Sequence, residues 1–104
     1  MHIIYITFPS KEEALKMGRK LIKEKLVACA NIHDGVTSIY KWEEKIQEST
    51  EFTMICKVSD NMVDEAIKAI TSKHSYACPC VIAIKVDKGN EDFLKWVETS
   101  CKVV

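Results

Sequence analysis

VACANIHDGVTSIYKWEEKIQESTEFTMICKV, running from Val27 to Val58, decides the fold of this chain. Its first part, Val27 to Ile32, is apolar and extended. Asp34-Gly35 then interrupts it, and Val36 to Trp42 resumes an alternation that puts Ser38, Tyr40 and Trp42 on one side. A single strand bent or bulged at Gly35 satisfies both halves. Glu43-Glu44-Lys45 turns the chain, and Ile46 to Val58 returns with Phe52, Met54, Cys56 and Val58 at alternate positions. Two strands of this length joined by so short a turn can only run antiparallel, as a long hairpin.

On the N-terminal side of the hairpin, His2 to Phe8 is a β-branched and aromatic run that stops at Pro9, the pattern of a buried strand. Ser10 with Glu13 three residues on predicts a capping box. Ala14, Leu15, Gly18, Leu21, Ile22 and Leu26 recur at helical spacing, so a helix is expected over Lys11 to Lys25. On the C-terminal side, Ser59-Asp60-Asn61 offers N-caps for a helix ending near Lys73, with Val63, Ala66, Ile67 and Ile70 as its apolar stripe. Val81 to Val86 is a fourth strand. Asn90 then caps a short helix whose apolar face is Phe93, Trp96, Val97 and Cys101.

The order βαββαβ with a terminal helix predicts one α+β domain over residues 1–104, a ferredoxin-like sandwich of a four-stranded antiparallel sheet and two helices on one face. If Ile4, Ile6 and Phe8 face the helices, Ile3, Tyr5 and Thr7 face away. Thr53, Ile55, Lys57, Val81, Ala83 and Lys85 are expected to join them. Such a face is too apolar to be left in water, each buried aliphatic side chain contributing roughly 1.5–3 kcal/mol, so a homo-oligomer is expected.

Composition narrows the function classes. Fifteen basic residues balance fifteen acidic ones along the chain, which leaves no electrostatic footprint for nucleic acid or an anionic membrane. Arg19 is the sole arginine, disfavouring a guanidinium clamp on phosphate. Five cysteines cannot all pair within the chain, and no signal peptide or membrane-spanning apolar run is visible, so reduced thiols in a cytoplasmic protein are expected.

Three soft-metal ligands fall in one short segment, His74-Ser75-Tyr76-Ala77-Cys78-Pro79-Cys80. Thiols two apart on an extended chain project from one face, and thiolate with imidazole suits Cu(I) or Zn(II), which makes His74, Cys78 and Cys80 the candidate metal group. A fourth ligand would have to come from His33, His2, another cysteine or another subunit. The competing reading is a buried strand entry whose small side chains are cysteines. Other functions of this topology fit poorly. The strands lack the stacking aromatics of an RNA-recognition motif, and the first loop, Thr7-Phe8-Pro9-Ser10, carries neither the thiols of a metallochaperone nor the arginine of an acylphosphatase. A Cys29–histidine catalytic pair would need a proximity that no spacing indicates.

Four motifs in register, Cys29-Ala30-Asn31-Ile32, Thr37 to Ile46, His74-Ser75-Tyr76 with Pro79, and Gly89 to Trp96, together with Glu51 and Lys57, closely resemble the divalent-cation tolerance (CutA) family across essentially the whole chain. The resemblance implies a non-enzymatic homotrimer, similar in plan to the PII signalling proteins. It also implies tolerance of copper or another divalent metal ion, with no obligatory cofactor. By motif, Tyr40, Trp42, Glu51, Lys57, Tyr76 and Trp96, beside His74, are the positions expected around a cleft between subunits, where a metal or a small polar ligand would sit. Lys57, in an otherwise apolar strand, needs a partner, for which Glu51 of another subunit is the candidate. The chain departs from the family pattern at Ser75, Ala77 and Glu44. The first two remove a potential oxygen ligand, disfavouring a hard cation. Glu44 in place of glycine predicts either a costly positive backbone angle or a different turn.

Overall fold

A computed structural model describes residues 1–103. The elements are β1 (His2–Phe8), α1 (Lys11–Lys23), β2 (Cys29–Trp42), β3 (Lys45–Val58), α2 (Val63–Lys73), β4 (Val81–Lys85) and α3 (Glu91–Ser100). They build one antiparallel sheet in the order β2-β3-β1-β4. That order is the ferredoxin-like arrangement expected from the sequence.

Register follows from the side chains that must be buried. Ile4, Ile6 and Phe8 of β1 lie opposite Cys56, Met54 and Phe52 of β3, and their shared face carries the core. Ile4, Ile6, Phe8, Leu21, Met54, Val58 and Ile70 are all fully buried. Helix α1 approaches β3 closely at Gly18, where a Cβ would come 3.3 Å from the Met54 sulfur.

β4 is out of phase with the expectation. Val81 pairs with Ile6 and Ala83 with Ile4, which places Val81, Ala83 and Lys85 on the helix side. Ile82 and Ile84 instead share the open face with Tyr5 and Ile3. A one-residue shift flips every side chain of a strand, and a count from the preceding loop cannot fix that phase. The correction makes the open face more apolar: Ile82 and Ile84, each about half exposed in the single chain, stand beside Ile3, Tyr5 and Ile55.

Ser10 Oγ accepts from Glu13 N at 3.2 Å, which is half of the expected capping box. Helix α1 stops at Lys23, two residues early, in a Schellman closure. Leu26 N donates to Leu21 O at 2.9 Å and Lys25 N to Ile22 O at 3.0 Å, with Lys25 held at φ 58° where glycine is usual. Helix α2 has Met62 at its N-cap with no side-chain cap, so none of Ser59, Asp60 and Asn61 serves as expected. Asp60 instead gathers the N-terminal amine (3.3 Å), His2 Nδ1 (2.7 Å) and Lys85 Nζ (2.9 Å), tying β1 and β4 to the start of α2. Asn90 Oδ1 caps α3 by accepting from Phe93 N at 3.1 Å.

The hairpin extends well past the helices and gives the chain its 45 Å long axis. Its expected bulge lies between His33 and Val36, with Gly35 at φ +69°. Beyond it Val36 to Trp42 pairs with Lys45 to Glu51, and a two-residue turn at Glu43 (φ 49°) and Glu44 (φ 67°) closes the end. Both angles are positive, so the turn takes the strained alternative: the primed geometry that matches strand twist, built from residues that adopt it at a cost.

Candidate functional site

Helix α2 ends at His74, whose extended backbone sends the chain into the loop that enters β4. The imidazole turns inward and stacks on Phe8, with ring centroids 4.7 Å apart and planes 15° from parallel. Its Nε2 lies 2.7 Å from the Thr7 carbonyl oxygen, which can only accept, so Nε2 carries the proton. Nδ1 then accepts from Tyr76 N at 3.1 Å. Glu13, the other half of the expected capping box, turns away from Ser10. Its Oε2 accepts from Ser75 N at 3.1 Å and lies 3.7 Å from His74 Nδ1.

His74 thus bolts the loop to β1 and α1, and the loop presents Tyr76. The Tyr76 hydroxyl donates to Glu51 Oε2 at 2.9 Å. Burial first, and then the Glu51 carboxylate, push the Tyr76 hydroxyl up to about 12, so it keeps its proton and remains the donor. Between this loop and the hairpin lies a cleft of about 660 Å³, walled by Tyr40 and Trp42 of β2, Glu51 of β3, and Tyr76, Cys78 and Cys80 of the loop. Period-two alternation explains the hairpin wall. Tyr40 and Trp42 share a face of β2, and Gln47, opposite Tyr40, shares the face of Glu51.

Six of the expected site residues, Tyr40, Trp42, Glu51, Tyr76, Cys78 and Cys80, therefore meet at one cleft within a single chain. Three do not. His74 lies beneath it, fully buried at its side chain, with both nitrogens committed to backbone groups. Lys57 lies six residues along β3 from Glu51, about 20 Å at strand rise, and donates to Asn31 Oδ1. Trp96 stands on α3 beside Phe93 with centroids 5.7 Å apart. Thr7 and Gln47 also line the cleft and were missed by sequence reasoning. Gln47 was accessible to it through the alternation from Glu51.

The structure does not bring the expected metal group together as a unit. Among the described residues no three His, Cys, Asp or Glu side chains converge as a metal site, and His74 has no lone pair to offer. What remains is Cys78 and Cys80, exposed free thiols on the cleft, with Glu51 near enough that its charge, after burial, pushes the Cys80 thiol up. Two thiols with one carboxylate nearby suit a soft ion of low coordination number rather than a hard divalent one. Cys56, by contrast, is a buried packing residue whose thiol is raised to about 12, chiefly by burial.

A ferredoxin-like subunit with an overlong hairpin, a cleft between that hairpin and the β4 entry loop, and an uncovered apolar sheet face defines a narrow class of small α+β proteins. The family model described as CutA1 divalent ion tolerance protein matches residues 2–100, and the chain belongs to that family. The divalent-cation tolerance protein CutA of Archaeoglobus fulgidus is 41% identical over 94% of this chain and 96% of its own length. The chloroplastic CutA of Arabidopsis thaliana is 32% identical over 96% of this chain, which spans only 55% of that protein. The crystal structure of CutA1 from Ehrlichia chaffeensis superposes with a TM-score of 0.94 at 34% identity, covering 98% of this chain and 95% of that one.

Proposed function

We propose that this chain acts as a cytoplasmic homotrimer in divalent-ion tolerance, as a binding protein rather than an enzyme, and that copper is taken up at the cleft through Cys78 and Cys80. The observation that carries this reading is that both free thiols open onto the same cleft. Thiolates suit Cu(I), and metal binding displaces the Cys80 proton, so uptake strengthens as pH rises. The open face of Ile3, Tyr5, Ile55, Ile82 and Ile84 supports assembly, since apolar surface of this kind is stable only when covered. Anaerobic Cu(I) titration of the wild type and a Cys78→Ser/Cys80→Ser variant tests the site. Equal affinity in both removes the thiols from it. Sedimentation at micromolar concentration tests the assembly, and a monomer overturns it.

A second reading is favoured by the cleft itself. Its volume lies within the ~300–1,000 Å³ usual for small-molecule pockets, and Tyr40, Trp42 and Tyr76 give it aromatic walls beside polar groups. On this reading the trimer is a PII-like signalling or scaffold protein that responds to a small ligand, and metal effects are indirect. A screen of small molecules by thermal shift distinguishes the two, because only this reading expects stabilisation without metal.

A further inference from the structure

The loop that carries Tyr76 into the cleft is fastened by a ring with a titratable nitrogen. We propose that His74 is a proton-operated latch: below neutral pH its Nδ1 takes a proton, lets go of the Tyr76 amide and pairs with Glu13, and Tyr76 is freed to leave Glu51. The latch acts on the cleft whether a metal or a small molecule occupies it.

The directions of the hydrogen bonds fix the neutral state. The Thr7 carbonyl, 2.7 Å from Nε2, can only accept, so the ring's one proton sits on Nε2 and Nδ1 accepts from Tyr76 N at 3.1 Å. A second proton has only Nδ1 to go to. There it faces the Tyr76 N–H, donor against donor, and that bond is lost. The Glu13 Oε2 atom lies 3.7 Å from the same nitrogen and already accepts from Ser75 N at 3.1 Å. A movement of about 1 Å turns that proximity into a charge-assisted hydrogen bond. The ring thus has two alternative partners on two different elements, and its protonation state selects between them.

Among the groups around the ring, Glu13 is the charge that decides. The His74 side chain is 0% exposed within the chain itself, so a neighbouring subunit does not reach it. From β1 come Phe8, stacked on it, and the Thr7 carbonyl, neither of them ionisable. From the loop comes Tyr76, its ring centroid 4.9 Å away and its hydroxyl bonded to Glu51, so the Glu51 charge acts from beyond that ring. Lys73, the last residue of α2, is exposed, and α1 contributes Glu13. Imidazole ordinarily titrates between about pH 5 and 8, and a carboxylate within ~4–6 Å favours its charged form. Tyr76 is two residues from the ring, so exchanging the bond at its amide moves the residue whose hydroxyl holds the hairpin.

Imidazole nitrogen and backbone amide resonances of the isotopically labelled full chain, followed from about pH 8 to about pH 5, test the latch. His2→Gln and His33→Gln identify the His74 signals by elimination. His74 is expected to pass from the Nε2–H tautomer to the doubly protonated ring, and the hydrogen-exchange protection factor of the Tyr76 amide to fall with the same midpoint. Glu13→Gln keeps an acceptor for Ser75 N and should unfold at wild-type urea concentrations at the alkaline end. It should nevertheless need a roughly tenfold higher proton concentration for the same change, because the new partner of Nδ1 is no longer charged. A His74 ring that stays neutral down to about pH 5 would overturn the latch. So would a ring that titrates while the Tyr76 amide stays protected, and so would a Glu13→Gln midpoint equal to that of the wild type.

Discussion

The Tyr76 hydroxyl donates to Glu51 Oε2 across 2.9 Å, joining a loop residue to a strand residue that is 25 positions earlier in the chain. This bond closes the floor of the cleft. It is also a direct side-chain tie between the β4 entry loop and the hairpin. Tyr76→Phe removes the donor and keeps the ring, leaving a nearly buried carboxylate with one partner fewer. It should destabilise the protein by about 1–2 kcal/mol. Glu51→Gln should cost less, because its amide oxygen still accepts. Urea unfolding at matched protein concentration checks both, and equal losses would show that the bond is not the cause.

His74 serves structure before chemistry. His74→Ala should cost about 3 kcal/mol, since it empties a stacked, buried ring position and orphans both the Thr7 carbonyl and the Tyr76 amide. His74→Gln restores part of the hydrogen bonding and should fold. Its Cu(I) stoichiometry should equal that of the wild type. A lost metal equivalent in that variant would return His74 to the metal group.

At the hairpin end, Glu43 and Glu44 both hold positive φ without being glycine or asparagine. The Lys41–Glu44 ion pair at 3.5 Å is too exposed to offset the strain, Glu44 being 92% exposed at its side chain. The double substitution Glu43→Asn and Glu44→Gly suits the primed turn and should raise stability by about 1 kcal/mol. A thermal unfolding midpoint at or below that of the wild type would refute this assignment of strain.

Asp60 governs the acid limb of stability. Its hydrogen bond from Lys85, helped by the N-terminal amine and His2 and opposed by burial, holds the carboxyl at about 2, below its ordinary 3.8. A carboxyl depressed on folding stabilises above the unfolded value, and that stabilisation is lost as pH falls through the folded one. Asp60→Asn should therefore lower stability by about 1 kcal/mol near neutral pH, discounted because the side chain is 43% exposed. The difference should vanish below about pH 2 and shrink with added salt. A constant difference across that range would place the effect elsewhere.

The strands, helices and sheet partners were legible because period-two and helical spacings are written into residues such as Ile4, Ile6 and Phe8, whose burial admits one register. Phase was lost in β4, because Cys78-Pro79-Cys80 gives no count of how many residues the loop spends before pairing begins at Val81. The hairpin wall of the cleft was legible through Tyr40 and Trp42. The structural role of His74 was not legible for a physical reason: the same two nitrogens that bind a metal also bind a carbonyl and an amide, and only the backbone path shows the latter. Within the chain Glu51 meets Tyr76, a pairing across folded space that no spacing encodes.

The outer hairpin has a consequence for regulation. From Val36 to Thr50 it is a two-stranded ribbon, with Ile39, Trp42 and Ile46 each more than 60% exposed. An isolated ribbon of this kind is marginally stable in water. The cleft therefore has one wall tied to the core at the buried Glu51 and one wall borrowed from a segment that must lean on something else to stay in place. If the cleft takes a ligand, whatever stiffens the ribbon completes its site. Dilution would then act as an antagonist, lowering ligand affinity without touching a single residue that meets the ligand.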